Sequence, residues 1–155
     1  MGYFATWIND SSITCGPWGG SGGAPFIFKV EKWIKEIIVH EEGCINSIAF
    51  KDTSGEMYGK FGGEDPHDSG MERIIEINGP SEYLTSIAGT FRCYKDNKVI
   101  TSRSFITNLH THGPFGTVSS TSFSSMPTEG GVVIGFHERG GYFVDAIGTH
   151  VKLLR

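Results

Sequence analysis

The sequence predicts an all-β domain built from three copies of one β unit, and three observations carry that prediction. Short runs rich in β-branched and aromatic residues recur along the chain, bounded by Gly, Asn, Asp and Ser. No long segment repeats apolar residues at helical spacing between capping signals. One Gly-X-aromatic-Gly phrase occurs three times, as Gly16-Pro17-Trp18-Gly19, Gly59-Lys60-Phe61-Gly62 and Gly113-Pro114-Phe115-Gly116.

The strand runs are clearest at Trp33–Val39, Arg73–Ile77 and Val132–Phe136. A second phrase accompanies the glycine one: Cys44-Ile45-Asn46-Ser47-Ile48, Tyr83-Leu84-Thr85-Ser86-Ile87 and Phe143-Val144-Asp145-Ala146-Ile147. Its pattern is apolar, apolar, polar, small, Ile. Three such units suggest three sheets around a pseudo-threefold axis, an arrangement that protects sheet edges from pairing with other chains. The 155 residues suffice for one domain with a real core. The 22 glycines, with no collagen period, imply many turns or close backbone approaches.

Bulk properties exclude several partners. A formal net charge of -4 with no Lys/Arg cluster argues against nucleic acid. No apolar run approaches the ~20 residues that span a bilayer, and the first residues do not read as a secretory signal. Cys15, Cys44 and Cys93 are odd in number and form no CxxC pair, so free thiols and a reducing compartment are expected.

Against this background the motifs resemble the jacalin-related lectins. They are GPWGGSGG at 16–23, SFITN at 104–108, GPFG at 113–116, TSF at 121–123 and GFHERGGYFVDAIG at 135–148. The likeness runs from about residue 13 to the C-terminus, leaving 1–12 as an N-terminal extension or linker and 13–155 as the lectin domain. It implies a β-prism of three four-stranded antiparallel sheets. It also implies calcium-independent, non-enzymatic binding of mannose- or glucose-type glycans, in a family that is largely of plants, mostly cytoplasmic in its mannose-type members and linked to stress or defence. Neither cofactor nor metal is expected.

The resemblance assigns the sugar site to Gly23 and to the Gly-x-x-x-Asp stretch Gly141-Tyr142-Phe143-Val144-Asp145. The backbone N–H groups of Tyr142 and Phe143 would donate to sugar oxygens. The Asp145 carboxylate would accept from two adjacent hydroxyls, and the loop near Tyr94 would form a side wall. A hexose suits such a set because each hydroxyl both donates and accepts, and a carboxylate offers two strong acceptors in fixed geometry. Each bond contributes about 1 kcal/mol net, so a single site should bind on the order of millimolar to tens of micromolar, with strength gained from several sites together. The chain runs unbroken through Ser21-Gly22-Gly23, which leans toward mannose or glucose and leaves galactose as the alternative.

At the place of Asp145 the other two copies carry Asn46 and Thr85, with Glu42 and Ser81 where Gly141 stands, so one main site per chain is expected. Glu138 departs from the small residue common in relatives before the Arg-Gly-Gly turn. It is expected near the pocket entrance, paired with Arg139 or touching an extended glycan. Three rivals stand beside the lectin reading. A metal enzyme would use His110 and His112, or Asp65, His67 and Asp68, but lacks a complete ligand set. A glycosidase would pair Asp145 with Glu138. A protein-interaction module cut from a longer protein would use the aromatic N-terminal segment around Trp7, and a homodimer or an attached second domain is the corresponding partner expectation.

Overall fold

The computed structural model describes residues 13–30, 33–63, 70–94, 97–125, 130–141 and 143–153. Residues 1–12, expected from the sequence to be an extension or linker, and the stretch carrying Asp65, His67 and Asp68 lie outside them. Twelve strands follow one another: β1 (Ile13–Gly19), β2 (Ala24–Lys29), β3 (Ile34–Glu41), β4 (Ile45–Asp52), β5 (Met57–Gly62), β6 (Met71–Glu76), β7 (Leu84–Tyr94), β8 (Asn97–Thr107), β9 (Thr111–Gly116), β10 (Thr121–Ser124), β11 (Gly131–Gly140) and β12 (Val144–Leu153). No helix occurs among the described residues.

The strands form three antiparallel four-stranded sheets, ordered β1-β12-β11-β2, β5-β4-β3-β6 and β10-β7-β8-β9. The expected β-prism is what the chain forms. Inward side chains of all three sheets meet in one core containing Ile37, Ile48, Ile87, Phe105, Phe136 and Ile147. Aromatic pairs bridge the sheets, with ring centroids 4.8 Å apart for Phe50 and Phe136, 4.9 Å for Phe26 and Phe61, and 5.7 Å for Trp18 and Phe123. Fully burying a side chain of this size stabilises by roughly 1.5–3 kcal/mol, and aromatic pairing adds to that.

The glycine phrases are the edge strands β1, β5 and β9, one per sheet. Both glycines of each phrase have positive φ. A Cβ on Gly19, Gly62 or Gly116 would run into the carbonyl oxygen of Asp145, Asn46 or Thr101 respectively. Three equivalent collisions at three equivalent places explain why the phrase ends in glycine each time.

The register corrects one sequence reading. Gly19 lies opposite Ala146, Gly62 opposite Ser47 and Gly116 opposite Ser102. The counterpart of Asp145 in the third sheet is therefore Thr101 and not Thr85, which lies on β7, a strand paired with β8 and β10 rather than with β9. The true third copy of the second phrase is Val99-Ile100-Thr101-Ser102-Arg103. It follows the pattern until Arg103 replaces the Ile of the other copies, and a cation at a core position hid it. By the same register the residue at the place of Gly141 is Asn97 and not Ser81.

Candidate functional site

Two connections meet where β1 and β12 pair at one end of their sheet. The turn between β1 and β2 carries Gly23, whose φ is 68°. The β11–β12 hairpin is closed by Gly141 N–H donating to the Phe143 carbonyl at 3.0 Å. Gly20 N–H donates to the Asp145 carbonyl at 2.9 Å and ties the two connections together. A Cβ on Gly23 would lie 2.6 Å from Asp145 Oδ2 and equally close to the Gly140 carbonyl, so only glycine fits. One on Gly141 would lie 3.6 Å from Gly23 Cα and 4.0 Å from Asp145 Oδ2. The structure thus brings Gly23, Gly141 and Asp145 into one cluster.

Asp145 is 7% exposed. Among the described residues its carboxylate accepts no hydrogen bond. Burial pushes its carboxyl above the ordinary value of 3.8, and the Arg139 charge acts in the opposite sense. The carboxylates of Asp52 and Glu82, by contrast, are occupied. Asp52 Oδ1 accepts from Ser54 N–H and O–H and from Glu56 N–H, and Oδ2 accepts from the Tyr58 hydroxyl. Glu82 accepts from the Thr107 hydroxyl and from Asn78 N–H.

Phe143 also lines a half-open cavity of about 430 Å³ between the three hairpins, with Glu42, Cys44, Arg92, Val99 and Thr101. Tyr94 ends β7 opposite Asn97; its side chain, like all of Tyr142, lies outside the described residues.

Glu138 is not at the entrance. Side chains alternate along a strand, and Glu138 takes the inward side. It is 3% exposed and accepts from Arg103 Nη1 at 2.8 Å. It therefore neither pairs with Arg139 nor stands beside Asp145 as a second carboxylate for hydrolysis. Arg139, on the outward side, donates from Nε to the Gly22 carbonyl at 3.0 Å and from Nη2 to the Gly23 carbonyl at 2.9 Å. Sequence reading missed this role, because nothing in the run His137-Glu138-Arg139 says which of the two charges turns inward.

His110 precedes β9 and His112 lies on it opposite Phe105 of β8, their ring centroids 6.0 Å apart. His112 Nε2 is 3.3 Å from Glu82 Oε2. Among the described residues no three His, Cys, Asp or Glu side chains gather as a metal site would require. Cys15, Cys44 and Cys93 are free thiols.

Comparison with known proteins agrees with this geometry. The family model for the jacalin-like lectin domain matches residues 15–150. The chain is 55% identical over 153 residues to a mannose/glucose-specific lectin of Parkia pendula, covering 98% of this chain and 34% of that lectin. It spans only about a third of the length of that relative and of its Parkia platycephala counterpart. It is 40% identical over 141 residues to the jacalin-related lectin Calsepa of Calystegia sepium, covering 87% of this chain and 92% of the relative. The Calystegia sepium agglutinin structure superposes with a TM-score of 0.84 at 37% identity, over 94% of this chain and 99% of that one. An artocarpin–mannotriose complex gives 0.81 at 30% identity, over 94% of this chain and all of that one. With a family match over most of its length, the chain belongs to the jacalin-like lectins.

Proposed function

We propose that this domain binds mannose- or glucose-type saccharides at the Gly23, Gly141 and Asp145 cluster and releases them unchanged. The observation that carries the reading is the Asp145 carboxylate, which is almost buried, pressed against a glycine, and used by no donor of the described protein. A carboxylate that no protein donor serves must take its hydrogen bonds from outside, and a pair of sugar hydroxyls supplies them. The backbone N–H groups of Tyr142 and Phe143 are proposed as the donors to the ring oxygens, with Tyr94 beside them as a wall. The relatives named mannose/glucose-specific support the sugar class, and the continuous Ser21-Gly22-Gly23 segment favours it over galactose. Glu138 is engaged inside the core and so is not available to Asp145 as the second carboxylate that hydrolysis of a glycosidic bond uses.

The test is calorimetric titration with methyl α-mannoside, methyl α-glucoside and galactose, repeated with Asp145→Asn. Weak binding of the first two, lost in the variant, is the expected result. No heat from any sugar at tens of millimolar would overturn the reading. A nitrophenyl α-mannoside should compete for the site and remain uncleaved.

A further inference from the structure

The turn from Gly20 to Gly23 has three glycines in four residues, so its backbone loses much conformational freedom on becoming fixed. Its fixed shape matters, because Gly23 must lie against Asp145. Gly20 is held by the Asp145 carbonyl at one end of the turn. Gly22 and Gly23 are held at the other end by one side chain, Arg139. Its Nε and Nη2 donate to the two successive carbonyls at 3.0 and 2.9 Å. A guanidinium presents such donors as a rigid planar fork, which an ammonium cannot. Arg139 comes from β11, where it lies opposite Pro25 on one side and Ala146 on the other. It therefore joins the strand after the glycine turn to the strand that bears Asp145.

We infer that Arg139 is the positioning residue of the saccharide site: its forked grip on the Gly22 and Gly23 carbonyls sets the turn against Asp145 before any sugar arrives. The inference rests on the proposed saccharide reading and deepens it. Preformed geometry spares the ordering cost that binding would otherwise carry. Arg139 has a second effect through charge, since its guanidinium favours the ionised form of Asp145 against burial. Arg139 is the charge that acts on Asp145, whereas Glu42 and Arg92 line the neighbouring cavity with Phe143. Glu138 of β11 points into the core toward Arg103. Lys98 of β8 holds its ammonium 5.6 Å over the Phe91 ring. Lys29 stands at the opposite end of β2, and β1 brings no charged residue.

Three full chains test this: the wild type, Arg139→Met and Arg139→Lys. Arg139→Met should lose about tenfold or more in methyl α-mannoside affinity at pH 7, and the pH at which binding falls away in acid should move upward. Arg139→Lys keeps the charge without the fork. Its acid limb should stay near that of the wild type while its affinity remains reduced. A merely structural role would lower the melting temperature of both variants and leave the acid limb in place. Wild-type affinity and an unmoved limb in Arg139→Met would overturn the inference. Hydrogen exchange of the turn amides at 20–23, measured without sugar, gives a second readout. Faster exchange in both variants is expected, and unchanged exchange overturns the inference. If the wild type binds no sugar, the saccharide reading fails, and the exchange data still decide whether Arg139 sets the turn.

Discussion

Arg103 Nη1 donates to Glu138 Oε1 across 2.8 Å in the middle of the prism, with both side chains almost wholly shielded from solvent. The guanidinium lies between two rings, 4.9 Å from the Phe105 centroid and 5.0 Å from that of Phe136. By register Arg103 stands where the other two sheets have Ile48 and Ile147. The chain has thus replaced one of three equivalent core apolar side chains by a cation and supplied its anion from a neighbouring sheet. The pair is incompletely satisfied, because Arg103 Nε and Nη2 and Glu138 Oε2 find no partner among the described residues.

Removing one partner and removing both should therefore differ sharply. Arg103→Ala leaves a buried carboxylate alone and should cost about 3–5 kcal/mol. The double replacement Arg103→Ile with Glu138→Leu restores an apolar pair like Ile48 and Val39 and should recover most of that loss. Urea unfolding of the single and double variants measures both. A single variant within about 0.5 kcal/mol of the wild type would show that the pair contributes nothing to the fold.

Asp145 makes opposite demands on stability and binding. Burial raises its carboxyl above 3.8. A raised value in the folded state means that the neutral form is the better accommodated one. Its contribution to stability is fully present below the unfolded value and is lost as pH rises through the folded one. At pH 7 the ionised group is therefore a stability cost, and Asp145→Asn should melt no lower than the wild type there. Sugar binding runs the other way, because the carboxylate is the acceptor. Affinity should be level near neutrality and fall in acid, through a value raised from the ordinary 3.8. Titrations from pH 7 to pH 4, with melting curves of both proteins, check the two signs together.

Much of this was legible in the chain itself. The glycine phrases marked the three edge strands because each second glycine meets a carbonyl oxygen, a backbone requirement that leaves the same letter each time. Gly23, Gly141 and Asp145 were legible only through the resemblance of their motifs to the jacalin-related lectins, and the close approach of Gly23 to Asp145 gives the physical reason for the first of them. What could not be read was direction. Glu138 and Arg139 are adjacent charges, and only the strand's facing sends one to Arg103 and the other to Gly22 and Gly23. The third copy was misplaced because the pattern was sought as ending in Ile, whereas a core cation paired from another sheet stands there.

At their opposite end the sheets are fastened by carboxylates of the other kind. Burial alone would raise Asp52 and Glu82, but hydrogen bonds outweigh it and hold both below their ordinary values of 3.8 and 4.5. A lowered value means stability that is present above the unfolded value and lost as pH falls through the folded one. Asp52→Asn and Glu82→Gln should each cost about 1–3 kcal/mol at pH 7. The gap to the wild type should narrow below about pH 4. Urea unfolding at pH 7 and pH 3 tests the sign, and a gap that widens in acid would refute it.

The pseudo-symmetry also limits how many sugars one chain can hold. Thr101 stands in the place of Asp145, but its hydroxyl is bonded to Thr90 Oγ1 and Ser119 Oγ, each at 2.8 Å. Ser119 N–H donates to Thr90 Oγ1 at 3.0 Å, and Ser119 O–H donates to the Phe91 carbonyl at 3.0 Å. The segment after β9 is thereby fastened over the position that the Gly23 turn leaves open in its own sheet. Asn46, in the remaining sheet, carries no charge, and its Oδ1 accepts from the Cys44 thiol at 3.6 Å. Titration should therefore give one site per chain, and Asp145→Asn should leave none. A residual site in that variant would place a second sugar at Asn46. Thr101→Val should cost about 1–3 kcal/mol by leaving buried hydroxyls short of a partner while leaving mannoside affinity unchanged, because its network serves only to close its own sheet.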